Sequence, residues 1–302
     1  MSTSYHVAVI GLGAMGMGAA RSCLRAGLTT YGIDLSEQAR SQLQQAGAAA
    51  VMADARPLAE TLDAVLLLVV NATQVRRILL GEEGLARHLK PGTAIMVSST
   101  IAAEEASALA AELAQLGLPM LDAPVSGGAI KADAGEMTVM AAGADAAFDK
   151  LAPVLDAVAG KLYRVGSEPG QGSTVKIIHQ LLAGVHIAVA AEAMALASRA
   201  GVSLDLMYDV VTHAAGNSWM FENRMPRVLA GDYQARSAVD IFVKDLTLVA
   251  DTAKALRFPL PLASTALNMF LGASNAGYGQ EDDSAVIKIF SGIQLPGQEE
   301  LL

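Results

Sequence analysis

Val7-Ala8-Val9-Ile10-Gly11-Leu12-Gly13-Ala14-Met15-Gly16, followed by an apolar run over residues 30–34 that Asp34 closes, is the stretch that decides the fold. Its order is strand, glycine turn, helix, strand, acid. Gly11 permits the tight turn, Gly13 lets the backbone approach a pyrophosphate, and Gly16 allows close packing of helix on strand. The helix beginning near Met15 turns unpaired N–H groups and its positive dipole end toward the phosphates. Gly11, Leu12, Gly13, Ala14, Met15 and Gly16 are therefore candidate cofactor contacts. Asp34, 18 residues after Gly16, stands where a carboxylate accepts hydrogen bonds from the adenosine ribose hydroxyls. The same charge repels a 2′-phosphate, which favours NAD over NADP.

The chain of 302 residues is long enough for two domains with substantial cores. Its 53% hydrophobic and 4% aromatic content, with abundant alanine, suits helices packed on an α/β sheet and argues against disorder. The longest candidate membrane run, residues 64–70, is far too short to span a bilayer. No basic region followed by an apolar core and cleavage site opens the chain, so no secretory signal is expected. The single cysteine, Cys23, excludes an intramolecular disulfide, and no cysteine cluster suggests structural zinc. A cytoplasmic location is the expectation. A net charge of −9 argues against general nucleic-acid or anionic-membrane binding and leaves an anionic small molecule open, because local charges decide a site.

Through the first half, strand-like and helix-like segments alternate. Ser36 is placed to cap a helix running toward Gln45. Residues 64–70, 94–98, 138–142 and 161–165 read as strands, 161–165 as an edge strand, with helices over 102–116 and 146–158. Met120-Leu121-Asp122-Ala123 leads to a further strand end. This alternation predicts a Rossmann-type doubly wound sheet with right-handed crossovers. The pattern changes at Gly166-Ser167-Glu168-Pro169-Gly170. A long apolar helix is expected over about 173–200, interrupted on its exposed side by Lys176, Gln180, Glu192 and Arg199. More helices follow over 203–214, 218–230, 238–257 and 262–276. The expected architecture is an NAD-binding domain over residues 1–166 and an all-helical substrate and oligomerisation domain over 167–302, joined by the long helix. So much apolar helix suggests subunit packing, as a homodimer or homotetramer.

Three further segments are placed to carry chemistry. Asn71 and Thr100 follow predicted strands at the edge where open α/β sheets bind ligands, although Asn also turns chains and Thr also caps helices. In Asp122-Ala123-Pro124-Val125-Ser126-Gly127-Gly128, the proline stiffens the backbone. The paired glycines allow consecutive N–H groups to aim at one point, a nest that with the Ser126 hydroxyl can hold a carboxylate. A plain turn would look the same. Lys176 lies amid Val175, Ile177 and Ile178; such a lysine ordinarily snorkels to solvent. If buried near a nicotinamide cation, it loses its proton more readily and can act as acid or base near neutral pH.

Gly11 to Gly16, Asp122 to Gly128, Gly172-Ser173-Thr174-Val175-Lys176 and Lys244-Asp245-Leu246 occur in the order seen in the β-hydroxyacid dehydrogenases, and the chain resembles that 3-hydroxyisobutyrate dehydrogenase-related family along essentially its whole length. The resemblance implies NAD-dependent oxidation of a small hydroxy acid, with Lys176 as catalytic acid/base and Ser126, Gly127 and Gly128 as binders of the substrate carboxylate. It also implies cofactor contacts at Thr100 and Lys244. Taken alone, Lys244 reads as a helix-surface lysine paired with Asp240 or Asp245.

Where many family members carry two asparagines after the lysine, this chain has His179 and Gln180. Gln180 keeps amide donors and acceptors at greater reach and is a candidate substrate contact; His179 adds a hydrogen bond or packs. Residues 180–188, 213–224 and 237–242 resemble the branch of the family that oxidises the C2 hydroxyl of a four-carbon sugar acid, L-threonate. Oxidation of 3-hydroxyisobutyrate, reduction of tartronate semialdehyde, and a non-catalytic NAD sensor are the alternatives. His179 and His186, seven residues apart, lie two helical turns from one another and read as packing residues, so no metal site is expected. Trp219 and Phe221 read as helix anchors or pocket walls.

Overall fold

In the computed structural model, which describes residues 4–296, the chain packs as two units that divide between Lys176 and Ile177. The first is built on strands β1 (His6–Ile10), β2 (Thr29–Ile33), β3 (Ala50–Met52), β4 (Ala64–Leu67), β5 (Ala94–Val97), β6 (Met120–Asp122), β7 (Val125–Ser126), β8 (Met137–Ala142) and β9 (Ala159–Gly166). Its helices are α1 (Ala14–Arg25), α2 (Glu37–Gln45), α3 (Ala72–Leu80), α4 (Ala103–Gln115), α5 (Gly128–Ala134) and α6 (Asp145–Val158). Strands β1 to β6 pair in parallel, in the order β3-β2-β1-β4-β5-β6. The chain thus winds outward one way from β1 through β2 and the other way through β4. The turn leaving β1 lies at this reversal, the place where open α/β sheets bind ligands beyond the carboxyl ends of their strands.

Alternate residues of each central strand enter opposite cores. Val7, Val9, Leu66 and Met96 pack with Ala19, Cys23, Phe148 and Leu151 on one face. Ala8, Ile10, Val65, Leu67, Ile95 and Val97 pack with Val75, Leu79, Leu109 and Leu113 on the other. Burial on both faces is why these strands read as continuous apolar runs. Ser36 caps α2 as expected, its hydroxyl accepting the Ala39 N–H.

The sheet is not parallel throughout. β6 and β7 run antiparallel to β8, and β9 forms the edge beyond β8, parallel to it. Proline 124 separates β6 from β7 and cannot donate to a ladder. The connection from β7 to β8, residues 127–136, is shorter than the dozen or so residues a parallel crossover takes.

The second unit is all-helical: the remainder of α7 (Gln171–Arg199), then α8 (Leu204–Thr212), α9 (Trp219–Leu229), α10 (Val239–Ala255) and α11 (Pro261–Ala273), closed by a 3₁₀ stretch, Asp283–Ile289. Ile187, Ala191, Met194, Phe242, Leu246 and Phe270 form its core, with the Phe242 and Phe270 rings stacked at 5.2 Å. Strand β9 ends at Gly166, while the packing division falls later, inside α7. Among the described residues, helix α7, not residues 64–70, is the one segment long and apolar enough to cross a membrane; half of its apolar window is buried within the protein. Lys176 and Gln180, expected on its exposed side, are only 6% and 7% exposed.

Candidate active site

The glycine turn is held by close contacts. Gly11 adopts φ +91°, and its N–H donates to the Ile33 carbonyl at 2.9 Å. A Cβ on Gly16 would lie 1.7 Å from the Gly11 carbonyl oxygen, so helix α1 and the turn share space only a glycine leaves. Gly13 differs: it is exposed, a Cβ there would meet nothing within 4 Å, and it caps α1 without any side-chain hydrogen bond. The first turn of α1 therefore opens to a ligand at the positive end of the helix. Asp34 closes the cradle: one carboxylate oxygen accepts the Leu12 N–H and the other the Ser36 N–H, each at 2.7 Å. A carboxylate offers about four lone-pair positions, so acceptor capacity is left for ribose hydroxyls. These residues fit a dinucleotide.

Beyond the adjacent strands β4 and β5, the Val69 N–H donates to the Ser99 hydroxyl at 3.1 Å, stitching residues 69–71 to 98–100. Asn71 caps α3, its side-chain oxygen accepting the Gln74 N–H at 2.9 Å. Thr100 does not cap α4; Ala102 holds that position, with no side-chain bond.

Gly127 and Gly128 adopt φ +133° and +73°, left-handed values in succession just after Ser126 ends β7, and no side chain caps the short helix they open. Consecutive N–H groups in such a stretch form an anion-binding concavity. The same segment begins with Asp122, to which sequence reasoning gives no role of its own. Asp122 is fully buried, and one carboxylate oxygen accepts the N–H groups of Gly170 and Ser173 at 2.8 and 2.7 Å. The other accepts the Ser173 hydroxyl at 2.7 Å. Burial pushes the Asp122 carboxyl up; the Ser173 hydroxyl and the N–H groups of Ser173, Gly170 and Gly172 offset part of that rise. One short stretch, residues 122–128, thus carries the paired left-handed glycines and anchors the start of the helix that bears Lys176.

In the second unit, Gln180, Asp245 and Lys244 form a hydrogen-bonded chain. The Gln180 amide nitrogen donates to Asp245 at 2.5 Å and the Lys244 ammonium to the other Asp245 oxygen at 2.6 Å. Asp240, the other acid considered for Lys244, instead accepts from Ser274 and Gln280. Because an ionised carboxylate only accepts, the Gln180 carbonyl must face His179, 3.0 Å from its Nδ1, and that nitrogen carries the hydrogen. Phe221 is buried against Tyr208, whereas Trp219 is half exposed. Trp219 lines a cavity of about 350 Å³ with Tyr208, Thr212, Glu222 and Asn223.

A dinucleotide cradle at the switch point of a doubly wound sheet, followed in the chain by a helical unit, defines a nicotinamide-dependent oxidoreductase. Residues 6–166 match the family described as the NAD binding domain of 6-phosphogluconate dehydrogenase. Residues 170–290 match that described as NAD-binding of NADP-dependent 3-hydroxyisobutyrate dehydrogenase. The chain is 72% identical over 295 residues to an L-threonate dehydrogenase of Escherichia coli O6:H1, covering 98% of each chain. It is 67% identical over 293 residues to that of Haemophilus influenzae, covering 97% of each. A solved structure of 3-hydroxyisobutyrate dehydrogenase from Salmonella typhimurium superimposes with a TM-score of 0.92 at 70% identity, covering 95% of this chain and 100% of that one. The chain belongs to the 3-hydroxyisobutyrate dehydrogenase-related family of β-hydroxyacid dehydrogenases, and it is an NAD-dependent hydroxy-acid dehydrogenase.

Proposed function

We propose that the protein oxidises the C2 hydroxyl of L-threonate to 2-dehydro-L-erythronate. The observation that carries the chemistry is a lysine buried one turn beyond Ser173, on a helix whose start is tied to the strand end leading into the glycine nest. The substrate choice rests on the relatives of that name, 55–72% identical over nearly the whole chain.

Gly11 to Gly16 and Asp34 hold the dinucleotide, with Asn71, Thr100 and Lys244 as further contacts. NAD held there would supply the acceptor for the hydride leaving C2. The N–H groups of Gly127 and Gly128 and the Ser126 hydroxyl bind the substrate carboxylate. Lys176, in its neutral form, takes the C2 hydroxyl proton. The Gln180 amide nitrogen carries two hydrogens, of which Asp245 takes one; the second orients a substrate hydroxyl. Residues 1–166 serve mainly the cofactor, adding Ser126, Gly127 and Gly128 for the substrate carboxylate, and 167–302 serve mainly the substrate and self-association, adding Lys244 for the cofactor. Ile178, Leu182, Val189 and Leu196 are exposed on one face of α7, steps of four and seven that suit packing against a second copy in a homodimer or homotetramer. The reaction draws on cytoplasmic NAD.

Oxidation of 3-hydroxyisobutyrate is a second reading, supported by the name of the 70%-identical solved structure and by that of the family matched by residues 170–290. Product analysis separates the two: trapping with a hydrazine should recover a four-carbon 2-oxo acid from L-threonate. Turnover of 3-hydroxyisobutyrate without any such product would transfer the assignment.

A further inference from the structure

Asp122 takes no part in the proton and hydride movements above, yet its carboxylate is committed to the opening turn of α7. A helix is ordinarily capped by the residue at its own N-terminus. Here the acceptor comes from the end of β6, 48 residues before Gly170 and 51 before Ser173. It takes both N–H groups on one oxygen and the Ser173 hydroxyl on the other. Gly172 presses on the same strand end: a Cβ there would lie 2.4 Å from the Asp122 carbonyl oxygen and 2.6 Å from that of Met140. Lys176 follows Ser173 by three residues, on the same side of the helix one turn on, and is itself buried. Its position is set by the register of that first turn.

We propose that Asp122 is a positioning residue for the reaction: by holding the first turn of α7 against the end of β6, it fixes Lys176 relative to Ser126, Gly127 and Gly128, which leave the same strand end. The proposal rests on the reading of Lys176 as proton acceptor. A displacement of about 1 Å at a reacting group costs on the order of 10²-fold in rate. Binding of the dinucleotide and the hydroxy acid uses other residues, so the cost falls on kcat.

The test uses the full chain with Asp122→Ala, Asp122→Asn, Lys176→Ala and the double variant Asp122→Asn/Lys176→Ala. It measures kcat and KM with L-threonate and NAD, and NADH affinity by fluorescence. Asp122→Ala is expected to lose about 10²-fold in kcat, with KM and NADH affinity within about threefold of the parent. Asp122→Asn keeps an oxygen for the two N–H groups and should recover about tenfold of that loss. On the Lys176→Ala background, Asp122→Asn should cost nothing further, because the group it positions is gone. Should Asp122→Ala not fold, Asp122→Asn and the double variant decide alone. Parent-level kcat in the aspartate variants beside an inactive Lys176→Ala enzyme overturns the positioning role and leaves Lys176 intact. A full additive loss in the double variant does the same. Parent-level turnover in Lys176→Ala overturns the role of the lysine, and the positioning proposal with it.

Discussion

Asp34 accepts the Leu12 N–H at 2.7 Å, so the acid that ends β2 and the glycine turn that follows β1 form one hydrogen-bonded unit. The carboxylate is fixed before any ribose arrives, and its charge stands against a 2′-phosphate. Asp34→Asn, which keeps the shape and an acceptor for Leu12, is expected to lower the preference for NAD over NADP in kcat/KM by about tenfold, on the order of 1.4 kcal/mol. The check is the ratio of kcat/KM for the two cofactors; an unchanged ratio would place ribose recognition elsewhere.

Gly13 and Gly16 separate ligand space from fold space. A Cβ at Gly13 enters empty room, whereas one at Gly16 collides with the Gly11 carbonyl. Gly13→Ala should keep its Tm within about 2 °C and weaken NADH binding at least tenfold, since the methyl occupies room needed by the pyrophosphate. Gly16→Ala should lower Tm as well as binding. Thermal melts with and without NADH distinguish the two; unaltered NADH affinity in Gly13→Ala contradicts the cradle.

Lys176→Ala should reduce kcat by roughly 10²–10⁴-fold, the range of general acid–base contributions, while NADH still binds. Stopped-flow turnover and NADH fluorescence measure the two quantities separately. Parent-like kcat in a folded variant removes the lysine from the mechanism.

Acid sensitivity of the helical unit should trace to Asp282, which lies fully buried beside Arg227 at 2.6 Å. Burial raises its carboxyl, but the Arg227 guanidinium, the Ser284 hydroxyl and the Arg236 N–H outweigh it and hold it below its ordinary 3.8. A carboxyl whose pKa is depressed on folding stabilises the chain fully above its unfolded value and loses that contribution as pH falls through the folded one. Asp282→Asn is expected to cost about 3 kcal/mol at pH 7, because it leaves Arg227 buried without its counter-charge. The difference in Tm from the parent should shrink below about pH 4. A difference that stays constant to pH 3 would assign the stability to shape rather than charge.

The doubly wound sheet and its glycine turn were legible because both-face burial and close backbone packing leave local signals: unbroken apolar runs at 64–67 and 94–97, and glycines where a side chain would collide. The apolar run at 64 reads through Val70, but the strand ends at Leu67; Leu68 and Val69 are apolar because they pack against the two cores beyond its end. β3, three partly buried residues, and α5, a seven-residue helix, are too short to show a period. The antiparallel turn at β6–β8 was missed because its cause is a short connection. Lys176 and Gln180 were expected on the exposed side of α7, and no local pattern marks their burial. The role of Asp122 was hidden for a related reason: its partners lie about fifty residues away in sequence, and no spacing rule connects them.

The most direct test of the account is NADH formation by the purified protein with NAD and a panel of L-threonate, D-threonate, D-erythronate, 3-hydroxyisobutyrate and D-glycerate, read as kcat/KM from absorbance. The account predicts selectivity for L-threonate by at least about 10²-fold, the discrimination expected when buried polar groups are left unpaired by the wrong hydroxyl pattern. Equal or greater kcat/KM with 3-hydroxyisobutyrate, which lacks those hydroxyls, would contradict it.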